Sequence, residues 1–113
     1  VIVVDYGGQI PEIDKIRRSF SHKVWIIEDA AHSFPAWREK IIVGKKADIT
    51  AFSFYATKPI TTGEGGMLIT DIEKIYKKAK ILRLHGIDRE TWERKNTNAF
   101  WQYDVKELGY KYN

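Results

Sequence analysis

Lys58 follows a threonine just past an apolar run in "FSFYATKPITTGEGG" (residues 52–66), and glycines crowd the loop beyond it. A lysine amine at such a point can form a Schiff base with an aldehyde and carry a proton. Asp29 closes a second apolar run, "KVWIIED" (residues 23–29). A carboxylate at the rim of a buried sheet needs a cationic or hydrogen-bonding partner. Ser53 and Thr57 bring hydroxyls close to Lys58. Hydroxyls together with backbone N–H groups at a strand end can hold a phosphate. Gly63, Gly65 and Gly66 would let the backbone approach a ligand closely. A lysine for the aldehyde, an acid to keep a ring nitrogen protonated and hydroxyls for a phosphate form the set that pyridoxal 5′-phosphate (PLP) requires.

Taken singly, each residue has a plainer reading. Lysines are usually solvated. Asp29 has the side chain of a helix N-cap for "AAHSF". His32, three residues beyond it, is a lone histidine, and such residues are more often structural than catalytic. The glycines fit an ordinary turn. No GxxxxGK[ST] phosphate loop is present, and "DYGGQ" is not a GxGxxG dinucleotide fingerprint. His22, His32 and His85 lack metal-ligand spacing, so no metal site is expected. The combination carries the PLP reading.

The elements that must position these residues alternate. "VIVVDY" (residues 1–6) is a β-branched run of the kind found in a parallel strand covered on both faces. "PEIDKIRRSF" predicts a helix with Pro11 in its first turn and Ile13, Ile16 and Phe20 on one face. Residues 23–29, 47–54 and 65–71 predict three further strands. "DIEKIYKKAKILRLHG" predicts a helix with Asp71 as N-cap, an apolar stripe of Ile72, Ile75, Tyr76, Ala79 and Leu82, and Gly86 as terminator. Residues 87–113 are polar and aromatic without firm periodicity, and include Trp92, Phe100, Trp101, Tyr103, Tyr110 and Tyr112. Alternating strands and helices argue for an α/β sheet with right-handed crossovers. Ligands of such sheets bind beyond the carboxyl ends of the strands, which selects "GGQ", "EDAAH" and "SFYATK".

Composition sets the outer bounds. The chain has 113 residues, enough for one domain with a modest core. At 43% hydrophobic and 30% charged, it is globular rather than disordered. The net charge of +4 hints at an anionic partner such as a nucleotide, but no basic block appears, so nucleic acid is not the expected partner. With no cysteine there is no disulfide framework and no thiolate zinc site, as suits a cytoplasmic protein. No apolar run reaches the roughly 18 residues of a membrane span. The chain opens directly on a strand-like run with neither a methionine nor a basic leader, and is expected to be a piece of a longer protein.

"EDAAHSFPAWREKIIVGKKADITAFSFYATKPITTGEGGMLIT" (residues 28–70) resembles the core of the DegT/StrS family of PLP-dependent nucleotide-sugar aminotransferases. The family pattern runs approximately EDAA[QH]…G…aDi..FSF..TK…GeGG…T. "DYGGQIPEID" is similar to the family's "HYAGQPxdmd", with Asp5 where histidine is usual and Pro11 displaced by one position. "LRLHGIDRETWER…GYKYN" looks most like the branch that aminates UDP-4-keto-pentose.

The resemblance implies an α/β fold, part of the large domain of the type I aspartate-aminotransferase fold, with a mainly parallel sheet and flanking helices. Residues 1–113 would be a partial PLP-binding large domain, truncated at both ends. It implies that Lys58 is the Schiff-base lysine and proton shuttle and that Asp29 pairs with the pyridine nitrogen. His32 would lie near the cofactor ring and Ser53 would contact the phosphate. Lys111 or Asn113, in "GYKYN", would reach the neighbouring subunit's cofactor phosphate, where many members have "GYNYR". The implied activity is transamination from an amino-acid donor, glutamate, to a keto group of a nucleotide-linked sugar, in a homodimer or higher oligomer. Lys58 argues against the sugar 3-dehydratase branch, which has histidine there. The alternative is an inactive, truncated remnant persisting as a small self-associating α/β module.

Overall fold

The computed structural model describes residues 1–87 and 103–112. Two units are distinguished, Val1–Ile72 and Glu73–Tyr112. The first holds Asp29, His32, Ser53 and Lys58, and the second holds Lys111. Asn113, with Trp92, Phe100 and Trp101, lies outside the described residues.

In the first unit, β1 (Ile2–Val4), β2 (Ile27–Asp29), β5 (Ile49–Ser53) and β6 (Gly66–Ile69) form one sheet in the order β1-β2-β5-β6. β1, β2 and β5 are parallel, and β6 runs antiparallel to β5. β3 (Trp37–Arg38) and β4 (Ile41–Ile42) make a separate hairpin. The helix between the first two strands is short: α1 spans Ile13–Arg18. Pro11 precedes it and Phe20 falls beyond its end, exposed, so the predicted three-residue apolar face reduces to Ile13 and Ile16.

Register assigns each strand residue to a face, because paired residues project together and successive residues alternate. Val3, Glu28, Thr50 and Phe52 share one face, and all four are buried. That face carries two small cores. Val3, Ile13 and Ile26 pack with Ile16, Val24 and Ala47. Ala30, Val43 and Phe52 pack with Ile10, Phe34, Phe54 and Ile69. The Phe34 ring stands edge-on to Phe52 at 5.0 Å. Burying a side chain such as Ile26 contributes about 2 kcal/mol.

The opposite face presents Ile2, Val4, Ile27, Asp29, Ile49, Ala51, Ser53 and Leu68. None of these is buried, and Ile2, Val4 and Leu68 are 69%, 53% and 46% exposed. The β-branched run at residues 1–6 is therefore covered on one face only among the described residues.

Ion pairs tie α1 and its N-terminal approach to the residues after β2. Arg38 bridges Glu12 at 2.8 Å, Lys46 bridges Asp14 at 2.5 Å, and Arg17 bridges Asp48 at 2.9 Å. The last is the most enclosed. Asp48 also accepts the Ile26 N–H at 2.8 Å, and its carbonyl accepts the Thr70 hydroxyl at 2.7 Å.

In the second unit, α2 spans Glu73–Leu82, starting two residues after Asp71. Its stripe residues Ile75, Ala79 and Leu82 are half-buried and Tyr76 is exposed. The Gly86 N–H closes the helix end onto the Ile81 carbonyl at 3.1 Å. Beyond it, Leu84 pairs with Lys111 and Ile87 with Val105. No described helix is long and apolar enough to cross a membrane.

Candidate active site

The carboxyl ends of β2 and β5 bring together Asp29 and Ser53. Asp29 pairs with Ala51 across parallel strands, and Ser53 lies two residues further along the same face. Both side chains therefore belong to the open face of the sheet, Ser53 one pleat period beyond Asp29. Each is half-buried.

Local bonding fixes both groups. Asp29 Oδ1 accepts the Ala31 N–H at 3.1 Å. That bond is a turn of the Asx kind, and no helix follows, so the N-cap reading of Asp29 is replaced by a tight turn over residues 29–33. The Ser53 hydroxyl accepts the Tyr55 N–H at 3.3 Å, which leaves its own proton to donate elsewhere.

Lys58 lies on the turn that leaves β5. Its N–H bonds the Tyr55 carbonyl at 2.9 Å, and its side chain is half-buried without an ion pair among the described residues. The loop beyond is braced by its threonines. Thr61 Oγ1 donates to the Phe54 carbonyl at 3.0 Å, and Thr62 Oγ1 to the Glu64 carbonyl at 2.7 Å.

His32 is exposed on the turn after β2, its ring edge-on to Tyr6 at 6.4 Å. Gly8 supports this contact from β1's side. It has φ of 82°, and a Cβ there would stand 3.2 Å from the His32 carbonyl oxygen. "GGQ", "EDAAH" and "SFYATK" thus all sit at carboxyl ends of adjacent parallel strands, as the binding rule for such sheets requires. Lys111 belongs to the second unit, exposed and paired through its backbone with Leu84.

Two clefts, of about 220 and 230 Å³, lie elsewhere. The first runs between α1 and the hairpin, with Glu28 in its lining; the second is lined by Phe34, Phe52 and Met67 among others. None of the sequence-predicted site residues borders either. No set of three His, Asp or Glu residues able to hold a metal occurs among the described residues.

Sequence reasoning noted Asp5 only as a departure from the family's usual histidine, and it passed over Ser33. Asp5 is fully buried at the end of β1, and the Ser33 hydroxyl donates to its Oδ2 at 2.5 Å. Burial pushes the Asp5 carboxyl up; the Ser33 hydrogen bond opposes this and the nearby Asp29 charge adds to it. Burial likewise raises Glu28, against the Thr50 hydrogen bond and together with the Asp5 charge. An acid directly after four β-branched residues was the available signal.

Residues 1–113 match the DegT/DnrJ/EryC1/StrS aminotransferase family. An uncharacterized protein of Methanocaldococcus jannaschii, MJ1066, is 49% identical over the whole chain, which covers 30% of that protein. The spore coat polysaccharide biosynthesis protein SpsC of Bacillus subtilis is 43% identical, again over the whole chain and 29% of its own length. The UDP-4-amino-4,6-dideoxy-N-acetyl-beta-L-altrosamine transaminase of Campylobacter jejuni is 40% identical over 99% of the chain and 28% of the relative.

Among solved structures, Helicobacter pylori PseC, an aminotransferase involved in the biosynthesis of pseudoaminic acid, superposes with a TM-score of 0.79. It is 30% identical and is matched over 98% of this chain and 28% of its own. The PLP form of the putative sugar aminotransferase Spr1654 of Streptococcus pneumoniae superposes with a TM-score of 0.74, at 30% identity, over 99% of this chain and 32% of its own. The chain thus spans 28–30% of the length of these curated relatives. The fold is that of the type I PLP-dependent aminotransferases, and the chain belongs to the DegT/DnrJ/EryC1/StrS aminotransferase family.

Proposed function

We propose that this chain forms the cofactor-bearing part of a PLP-dependent aminotransferase. It would transfer an amino group from an amino-acid donor, glutamate, to a keto group on a nucleotide-linked sugar, in sugar or polysaccharide biosynthesis. The observation that carries the reading is the shared face of Asp29 and Ser53 at the carboxyl ends of neighbouring parallel strands, with Lys58 on the turn leaving the second. Family membership supports it, since aminotransferases of this family use PLP and a PLP form occurs among the structural neighbours.

The donor set fits the cofactor. Asp29 has one oxygen anchored to the Ala31 N–H, and its half-buried carboxylate can accept from a protonated ring nitrogen. Ser53 retains a hydroxyl proton for a phosphate oxygen. Lys58 is not tied up in an ion pair among the described residues, so its amine is available for covalent attachment to an aldehyde. When bound, PLP supplies an electron sink for charge that develops at the amino-acid carbon.

Every other role falls to the chain. Lys58 Nζ would take the proton from the donor carbon as base and, as acid, deliver it to the carbon that carried the cofactor's aldehyde. Asp29 holds a fixed negative charge beside the ring nitrogen, which stabilises charge developing in the transition state. His32 flanks the ring from the turn that follows Asp29. Ser53 orients the phosphate, and Lys111 or Asn113 is assigned to the phosphate of a neighbouring subunit in a homodimer or larger assembly. The enzyme would work in the cytoplasm, where nucleotide sugars and amino-acid donors are at hand.

The test is turnover by the full-length protein. Supplied with PLP, glutamate and a UDP-linked 4-keto sugar, it should release 2-oxoglutarate in step with sugar amination. Release from neither this nor other nucleotide-linked keto sugars would overturn the reading.

A further inference from the structure

Two acids are buried together on the closed face of the sheet, away from Asp29 and Ser53. Asp5 is 0% and Glu28 1% exposed. Neither forms an ion pair with a lysine, arginine or histidine among the described residues. Register makes them neighbours: Val3 pairs with Glu28, and Asp5 lies two residues beyond Val3 on the same face.

Each acid is half satisfied. Ser33 Oγ donates to Asp5 Oδ2 at 2.5 Å. Thr50 Oγ1 and the Gly44 N–H donate to Glu28 Oε2 at 2.9 and 3.0 Å. Asp5 Oδ1 and Glu28 Oε1 are buried with no hydrogen-bond partner among the described residues. The charged and titratable groups facing them are each other, Asp29 from β2, and, across the cleft that Glu28 lines, Glu12, Asp14, Lys15 and Arg18 from α1 and its approach, Arg38 and Glu39 from the hairpin, and Lys46. Two carboxylates that each keep a buried, unpartnered oxygen and form no ion pair are strongly disfavoured as a doubly charged pair.

We propose that Asp5 and Glu28 together hold one proton, and that Asp5 is thereby a positioning residue for the turn that presents Asp29 and His32. The bonds of the turn converge on Asp5. Its N–H donates to the Asp29 carbonyl at 3.0 Å, and its carbonyl accepts the Gly8 N–H at 3.0 Å. Its carboxyl group holds Ser33, whose N–H returns to the Ala30 carbonyl at 3.1 Å. Asp5 therefore grips residues 29–33 at both ends and sets the Gly8 backbone against His32. With the pair singly protonated, that grip carries one negative charge fewer beside Asp29. The link to cofactor binding rests on the function proposed above, whereas the shared proton does not.

The test uses the full-length protein without cofactor. At neutral pH its infrared spectrum should contain the carbonyl band of a neutral carboxylic acid, shifted by deuterium exchange. The band should vanish in both Asp5→Asn and Glu28→Gln, since either amide gives the remaining acid a donor and removes the need for a proton. Burial raises both groups, so the folded state holds a proton that the unfolded chain releases, and wild-type stability falls as pH rises. Asp5→Asn should therefore gain stability relative to wild type as pH rises above the ordinary carboxylate range.

With PLP added, Asp5→Ala should bind it about 10-fold more weakly, while Asp5→Asn stays within about two-fold of wild type. Absence of the band, parallel pH profiles, or an asparagine variant no better than alanine would each overturn the proposal. If wild type takes up no PLP, the function proposed above fails, and the band and pH profile still decide the shared proton.

Discussion

Asp29 and Lys58 divide the proposed chemistry between a fixed charge and a mobile amine, and their variants should fail differently. Asp29→Asn keeps an oxygen to accept the Ala31 N–H, so the turn should survive. It removes the charge that would hold the ring nitrogen protonated. Cofactor uptake should persist while turnover drops by roughly 10²-fold or more, read from 2-oxoglutarate release under saturating PLP. Asp48 makes a separate, structural prediction. Burial pushes its carboxyl up, but the Ile26 N–H and Arg17 outweigh that and hold it below the usual carboxylate range. A lowered group stabilises the fold above its unfolded value, and that contribution is lost as pH falls through the folded one. Asp48→Ala should cost about 2–3 kcal/mol in denaturant titrations at neutral pH, and the difference from wild type should shrink in acid.

Among the elements, the parallel strands were legible because apolar runs end at polar residues, as at Asp29 and Ser53. The hairpin was not. Its two-residue turn has Glu39 at φ 50° and Lys40 at φ 67°, the mirror-image geometry in which Asn-Gly is usual, and "EK" carries no such signal. The turn after Asp29 was invisible for a related reason, since an aspartate before "AAHSF" fits a helix cap and an Asx turn equally well. Gly44 explains part of what holds the hairpin to the sheet. It has φ of 91°, and a Cβ would come 2.5 Å from Ile69 Cδ1 and 3.5 Å from Phe52 Cζ. Its N–H also satisfies Glu28. Gly44→Ala should destabilise the fold by about 1–3 kcal/mol, measured by chemical unfolding, through backbone strain and overpacking.

At the scale of the whole molecule, the sheet is finished on one side only among the described residues. Val3, Thr50 and Phe52 are buried, while Ile2, Val4 and Leu68 on the other face remain open beside Asp29 and Ser53. Composition could show that the chain is globular but not which face would be left bare; the continuous β-branched run at residues 1–6 predicts cover on both faces, and the described residues cover one. The family match adds what local reading lacked, because Lys58 taken alone reads as a solvated charge.

The most direct test of the account is therefore covalent. The full-length protein, incubated with PLP and reduced with borohydride, should lose a visible absorption band and gain the mass of one reduced pyridoxyl phosphate on the peptide containing Lys58. Lys58→Ala should show neither band nor adduct. An adduct on another lysine, or a band that survives in Lys58→Ala, would contradict the assignment of Lys58 as the residue that carries the cofactor.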